Sequence, residues 1–173
     1  MYDDAVTGAR VDVEVPIAMP AAEVWKLITD VSRVGEWSPE CAGAAWLDGE
    51  GRPRVGARFE GRNQFAQFTS TVECVVTECD EPRTFAWVVL DPTGALDRPG
   101  SCWRYELLPG GSPSRTLVRH SFVHGPGETG LRAGVLADPA NAATVLGGRL
   151  DQLRHNMAET LNRMARARVA RHV

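Results

Sequence analysis

Leu146-Gly147-Gly148-Arg149-Leu150-Asp151-Gln152-Leu153-Arg154-His155-Asn156-Met157-Ala158-Glu159-Thr160-Leu161-Asn162-Arg163-Met164 is the most regular stretch of the chain. Its apolar residues Leu146, Leu150, Leu153, Met157, Leu161 and Met164 follow steps of 4, 3, 4, 4 and 3, which places them on one stripe of an α-helix. The spacing predicts a helix from about Asn141 to about Ala167, ~40 Å long at 1.5 Å per residue. Arg163, Arg166, Arg168 and Arg171 crowd its C-terminal end, where the helix dipole favours cations. Gly147 and Gly148 each cost a helix about 1 kcal/mol relative to alanine. Either the backbone approaches something closely there or the helix starts later.

Everything before this helix reads mainly as strands. Val11, Val13, Val15 and Ile17 alternate with Asp12 and Glu14, the period of a half-buried strand. Pro20 opens a helix whose Val24, Leu27, Ile28 and Val31 share a face. A short helical turn follows around Ser32–Trp37, and Pro39 ends it. Further strands are expected at Ala44–Leu47, Ala57–Phe65, Thr69–Cys79, Thr84–Leu90, Cys102–Leu108 and Thr116–His124, separated by Gly-, Pro- and Asp-rich turns. Strands that follow one another without helices between them form an antiparallel meander.

A sheet of about seven strands at ~4.8 Å spacing is much wider than one helix of ~10–12 Å. The sheet must curl around that helix, and incomplete closure leaves a pocket. Residues 1–9 read as a flexible arm and 10–173 as one α+β domain. Its 173 residues give room for a core with a cavity.

Val13-Glu14-Val15-Pro16-Ile17 followed by Pro20-Ala21-Ala22-Glu23-Val24-Trp25-Lys26-Leu27-Ile28-Thr29-Asp30 resembles the SRPBCC (START-like) superfamily. More narrowly, it is similar to the polyketide cyclase/dehydrase and lipid-transport branch. Glu36-Trp37-Ser38-Pro39-Glu40, Gly56-Ala57-Arg58-Phe59-Glu60-Gly61-Arg62-Asn63 and Trp103-Arg104-Tyr105-Glu106-Leu107 carry the same likeness. The resemblance spans roughly residues 11–168. It implies a helix-grip fold, a curved antiparallel sheet around a long C-terminal helix, and a hydrophobic or aromatic molecule held between them.

Alternation assigns the inner wall. Phe59 and Asn63 lie opposite Arg58, Glu60 and Arg62, which face solvent. Phe85 and Trp87 form an apolar set, and Trp103 and Tyr105 lie opposite Arg104 and Glu106. Val118, His120 and Phe122 share a face of the last strand. With Trp37 at the mouth and Leu146 and Leu150 from the helix, these form the expected ligand site, apolar walls with sparse polar anchors. A buried Asn63 or His120 must meet a protein group, water or ligand, since an unpaired one costs about 1–3 kcal/mol. Glu40 reads as a solvated loop carboxylate rather than a general acid. Gly125 to Pro139 reads as a short helix with loops over one end of the pocket, a lid or a passive connector.

Other chemistries find little support. Gly125-Pro126-Gly127-Glu128-Thr129-Gly130 matches Gly-x-Gly-x-x-Gly, but no parallel strand follows, so a dinucleotide site is not expected. His120 and His124 stand ~13 Å apart on an extended strand, too far to share one metal ion. No metal and no cofactor are expected. Cys74 and Cys79 have opposite parity and should not share a face. A formal net charge of −3 argues against nucleic acid, and no run is long enough for a membrane span. The acidic N-terminus does not read as a signal peptide, so the four cysteines read as reduced and the chain as cytoplasmic.

Three functions remain open. The first is a carrier or sensor for a small hydrophobic or aromatic molecule, polyketide-like or lipid-like. The second is a cyclase or aromatase with His120, and with it Tyr105, as acid/base. The third is an interaction or regulatory module with a vestigial cavity.

Overall fold

A computed structural model of the chain describes residues 3–49 and 51–167. A short helix α1 (Asp3–Val6) precedes strand β1 (Arg10–Ile17). Helix α2 (Ala21–Thr29) follows, then a turn of 3-10 helix (Val31–Arg33) and helix α3 (Val34–Trp37). Six strands come next: β2 (Cys41–Trp46), β3 (Arg58–Gln64), β4 (Thr69–Asp80), β5 (Thr84–Val89), β6 (Ser101–Pro109) and β7 (Thr116–His124). Helices α4 (Gly130–Ala137) and α5 (Ala142–Ala167, 26 residues) close the described chain.

The strands form one antiparallel, curved sheet in the order β1-β7-β6-β5-β4-β3-β2. This is the α+β helix-grip arrangement. Helix α5 approaches the sheet most closely at β1, while α2 lies against β6 and α3 against β2. The helices therefore cover the two edges and one stripe of the sheet. The main core joins Val11, Val13 and Ile17 of β1 to Leu153, Met157 and Leu161 of α5 and to Val24 and Ile28 of α2. Among the described residues, no helix is long and apolar enough to cross a membrane.

Several details differ from the sequence expectation. The arm expected over residues 1–9 is packed where it is described. Val6 is fully buried with Val135 and Ala142, and the Gly8 N–H donates to the His124 carbonyl at 2.8 Å. One apolar residue docked against α4 and α5 holds this segment, and a single residue shows no periodicity. Helix α5 runs straight through Gly147 and Gly148, and a Cβ at either would meet nothing within 4 Å. Neither a close approach nor a later start accounts for them. A register shift between Val76 and Glu78 puts Cys79 opposite Phe85 and Cys74 opposite Val89. The bulge reverses the alternation, so both cysteines lie on the inner side, five residues apart along the strand. Arg168 and Arg171 lie outside the described residues.

Candidate functional site

The uncovered part of the sheet leaves a cavity of about 1250 Å³ between β3–β7, α3 and α5. Its wall follows from the strand registers. Phe59 stands across from Cys74, Cys74 from Val89, Trp87 from Trp103, and Trp103 from Phe122. The side chains pack ring against ring. Trp87 and Trp103 are parallel, with centroids 6.2 Å apart, and Phe59 meets Trp87 edge-on at 6.0 Å. Aromatic pairs on adjacent strands stabilise a sheet while presenting a continuous apolar surface.

At mid-strand, His120 of β7 lies across from Tyr105 of β6 and Val13 of β1. Its ring stacks on Tyr105 with centroids 4.0 Å apart, and the Trp103 and Trp87 rings lie 5.5 and 6.3 Å away. Both ring nitrogens are buried without a hydrogen-bond partner among the described residues. Backbone groups at this position are occupied by the ladder, and the rings of Tyr105, Trp103 and Trp87 lie against the imidazole. Loss of hydration disfavours the charged form, so the His120 pKa falls to about 3 and the ring is neutral. Burial likewise pushes the Tyr105 phenol well above its ordinary value. Both remain uncharged at neutral pH.

The end of the cavity where β3, β5 and β7 finish is polar. Glu40, on the connection from α3 into β2, is fixed locally by the Ser38 hydroxyl, which accepts the N–H groups of Glu40 and Cys41. Its carboxylate receives two hydrogen bonds from Arg149 of α5, Nη1 to Oε1 at 2.5 Å and Nη2 to Oε2 at 2.9 Å. Asn156, two turns further along α5, donates to Oε1 at 2.7 Å. The Arg149 guanidinium also sits 5.8 Å from the Phe65 ring, which stacks on the exposed Phe68. Glu40 is thus a bonded carboxylate with a side chain 16% exposed, not the solvated one expected. Its partners lie 109 and 116 residues away, beyond any local pattern.

Nine of the expected site residues line this cavity: Trp37, Phe59, Asn63, Phe85, Trp87, Trp103, Tyr105, His120 and Phe122. Val118, Leu146 and Leu150 do not. Val118 is fully buried in the main core. Leu146 packs against Val135 and Ala142 while its neighbour Val145 lines the cavity, and Leu150 sits at the flank of the helix against the core. The side of α5 that meets the cavity carries Arg149, Leu153, Asn156, Met157, Thr160 and Met164. The hydrophobic stripe hid its polar members. Trp37 is buried, its indole N–H has no partner among the described residues, and the Arg33 guanidinium lies 4.9 Å from its ring.

The segment after β7 also contributes. Leu131 and Ala133 of α4 reach the lining. Gly125 and Gly127 allow close backbone contact, since a Cβ would lie 2.1 Å from the Pro99 carbonyl oxygen and 2.5 Å from that of Arg98. These glycines dock two loops. His124 donates from Nδ1 to the Gly125 carbonyl at 2.7 Å and accepts the Thr129 hydroxyl at Nε2 at 2.7 Å. Both nitrogens are committed, which leaves none for a metal.

A family model described as polyketide cyclase / dehydrase and lipid transport matches residues 8–162. None of the curated proteins matches the chain. Among solved structures, the chain is similar to a polyketide-cyclase-like protein from Corynebacterium glutamicum. The identity is 27%, the TM-score 0.64, and the match covers 91% of this chain and 90% of that one. It is also similar in fold to a protein from Thermus thermophilus, at 16% identity and TM-score 0.67, covering 95% and 100% of the two chains. A START superfamily protein from Mycobacterium smegmatis matches in fold at 19% identity and TM-score 0.54, covering 84% and 99%.

Proposed function

The chain belongs to the polyketide cyclase / dehydrase and lipid transport family, and from that premise we propose that it binds a small hydrophobic or aromatic molecule as a cytoplasmic carrier or sensor. One observation carries this reading: a cavity of about 1250 Å³ whose wall is built from Phe59, Trp87, Trp103 and Phe122. Such a volume accepts a polycyclic or lipid-sized ligand. The four free thiols fit a reducing compartment.

A cyclase reading with His120 and Tyr105 as acid and base is less well supported. A general base must come within hydrogen-bond reach of the proton it removes. The His120 nitrogens are buried, and the ring has little basicity there. The test is thermal unfolding of the purified protein against a panel of aromatic polyketides and lipids, with mass analysis of each ligand afterwards. A true ligand at 100 times its Kd adds about 2.7 kcal/mol, so melting rises by several degrees and the ligand is recovered unchanged. No shift with any member overturns binding, and a ligand recovered as a cyclised or dehydrated product overturns the carrier reading.

A further inference from the structure

The polar rim carries hydrogen-bonding capacity that the described residues do not use. An ionised Glu40 accepts only, so Asn156 must present its NH2 group to it. Asn156 Oδ1 then faces away with no partner among the described residues. Gln152 uses its Oε1 on Arg149, which leaves its NH2 without a partner among them. Across the rim, half-buried Asn63 makes no side-chain hydrogen bond among the described residues.

Arg149, the cation that lines the rim, is by contrast committed. Glu40 and Arg149 neutralise each other through two contacts. Asp91, on the loop after β5, accepts the Thr93 N–H and hydroxyl at Oδ1 and the Glu128 N–H at Oδ2.

We infer that this rim holds the polar, non-anionic end of the ligand, a hydroxyl or ketone on a polycyclic body that lies against the aromatic wall, and that it rejects a carboxylate in the same place. The inference rests on the ligand binding proposed above and adds the ligand's charge class and orientation. A hydroxyl can donate to Asn156 Oδ1 and accept from Asn63 or Gln152 without disturbing the ion pair. A carboxylate would lie beside Glu40 and reach Arg149 only by displacing it. It would shed its hydration with no free cation among the described residues to replace it, and Asp91 and Glu128 add further negative charge to the same lining.

The test uses three fluorescent tetracyclic compounds at pH 7: pyrene, hydroxypyrene and pyrenecarboxylate. Hydroxypyrene should bind about three- to tenfold more tightly than pyrene, the range of one net hydrogen bond. Pyrenecarboxylate should bind at least about tenfold more weakly than hydroxypyrene. Asn156→Ala should remove the advantage of hydroxypyrene over pyrene, and a cooperative melt of the variant shows that it folds. Glu40→Gln frees the charge of Arg149 and should shift preference toward pyrenecarboxylate. Equal binding of pyrenecarboxylate and hydroxypyrene by the native protein overturns the inference. So does a hydroxyl advantage that survives Asn156→Ala, or pyrene binding with no hydroxyl effect. If none of the three binds, the ligand-binding function itself fails and takes this inference with it.

Discussion

His120 and His124 lie four residues apart on the inner face of β7, and their surroundings treat them in opposite ways. His124 stands where the strand ends and loops begin, and a carbonyl and a hydroxyl take both of its nitrogens. His120 stands at mid-sheet, where the ladder uses every backbone group and the neighbouring side chains are Tyr105, Trp103 and Trp87. The difference teaches where this fold tolerates polarity. The loop-bearing end can dress a polar group, and the aromatic middle can only hold it neutral. The proposed ligand would meet the same gradient, apolar within and polar at the rim.

The largest expected effect separates the two histidines by acid. The His120 pKa lies at about 3 in the folded chain, below the ordinary value near 6.5. The unfolded chain therefore binds the extra proton first. Stability from this residue is fully present above pH ~6.5, falls as pH drops through that value, and levels off only near the folded pKa. At pH 4.5 the loss amounts to about 2–3 kcal/mol. His120→Phe should abolish that part of the slope in urea unfolding at pH 7 and pH 4.5. At pH 7 it should also stabilise by about 1 kcal/mol, because two unpaired nitrogens leave the core. His124 and the carboxylates titrate in both proteins, so their contributions cancel in the comparison. An unchanged slope would mean that His120 is solvated in the native state.

A smaller effect makes His124 resemble its neighbour. The Thr129 hydroxyl donates to His124 Nε2 and accepts the Arg132 N–H at the start of α4. Thr129→Val keeps the shape and removes both bonds. A cost of about 2 kcal/mol is expected, from one helix cap and one stranded imidazole nitrogen. Thr129→Ser should recover most of it. A Val variant as stable as the native protein would show that His124 finds another partner.

The histidine contrast also marks what could be read from sequence. Period-two alternation placed Phe59, Trp87, Trp103 and His120 on one side of the sheet, because a strand's alternation needs no knowledge of its partners. The excess width of the sheet over its helix led to the hollow. Alternation failed at β4, where the bulge between Val76 and Glu78 reversed it and brought Cys79 inward. The Glu40–Arg149–Asn156 clamp left no trace, because its members are joined only by the closed fold. The stripe of α5 pointed to Leu146 and Leu150, while the cavity takes the adjacent side of the same helix, where Arg149 and Asn156 interrupt the apolar pattern.

The smallest expected effect asks whether the middle of the sheet lacks room for a partner or merely lacks one. Val13 and Val11 are buried on the same face of β1, Val13 across from His120 and Val11 across from Phe122. Threonine has nearly the shape of valine and adds one hydroxyl. Val11→Thr buries that hydroxyl against an aromatic ring and should cost about 1–3 kcal/mol. Val13→Thr places it beside an imidazole that has two unpaired nitrogens, so a bond between them should recover about 1 kcal/mol of that cost. The readout is the difference between the two variants in urea unfolding at pH 7, with the His120 ring resonances followed by NMR. A smaller loss for Val13→Thr with a higher His120 pKa would show that the isolation of His120 comes from its neighbours' chemistry. Equal losses and an unmoved ring would show that the aromatic packing fixes the imidazole so firmly that even an adjacent hydroxyl stays out of reach.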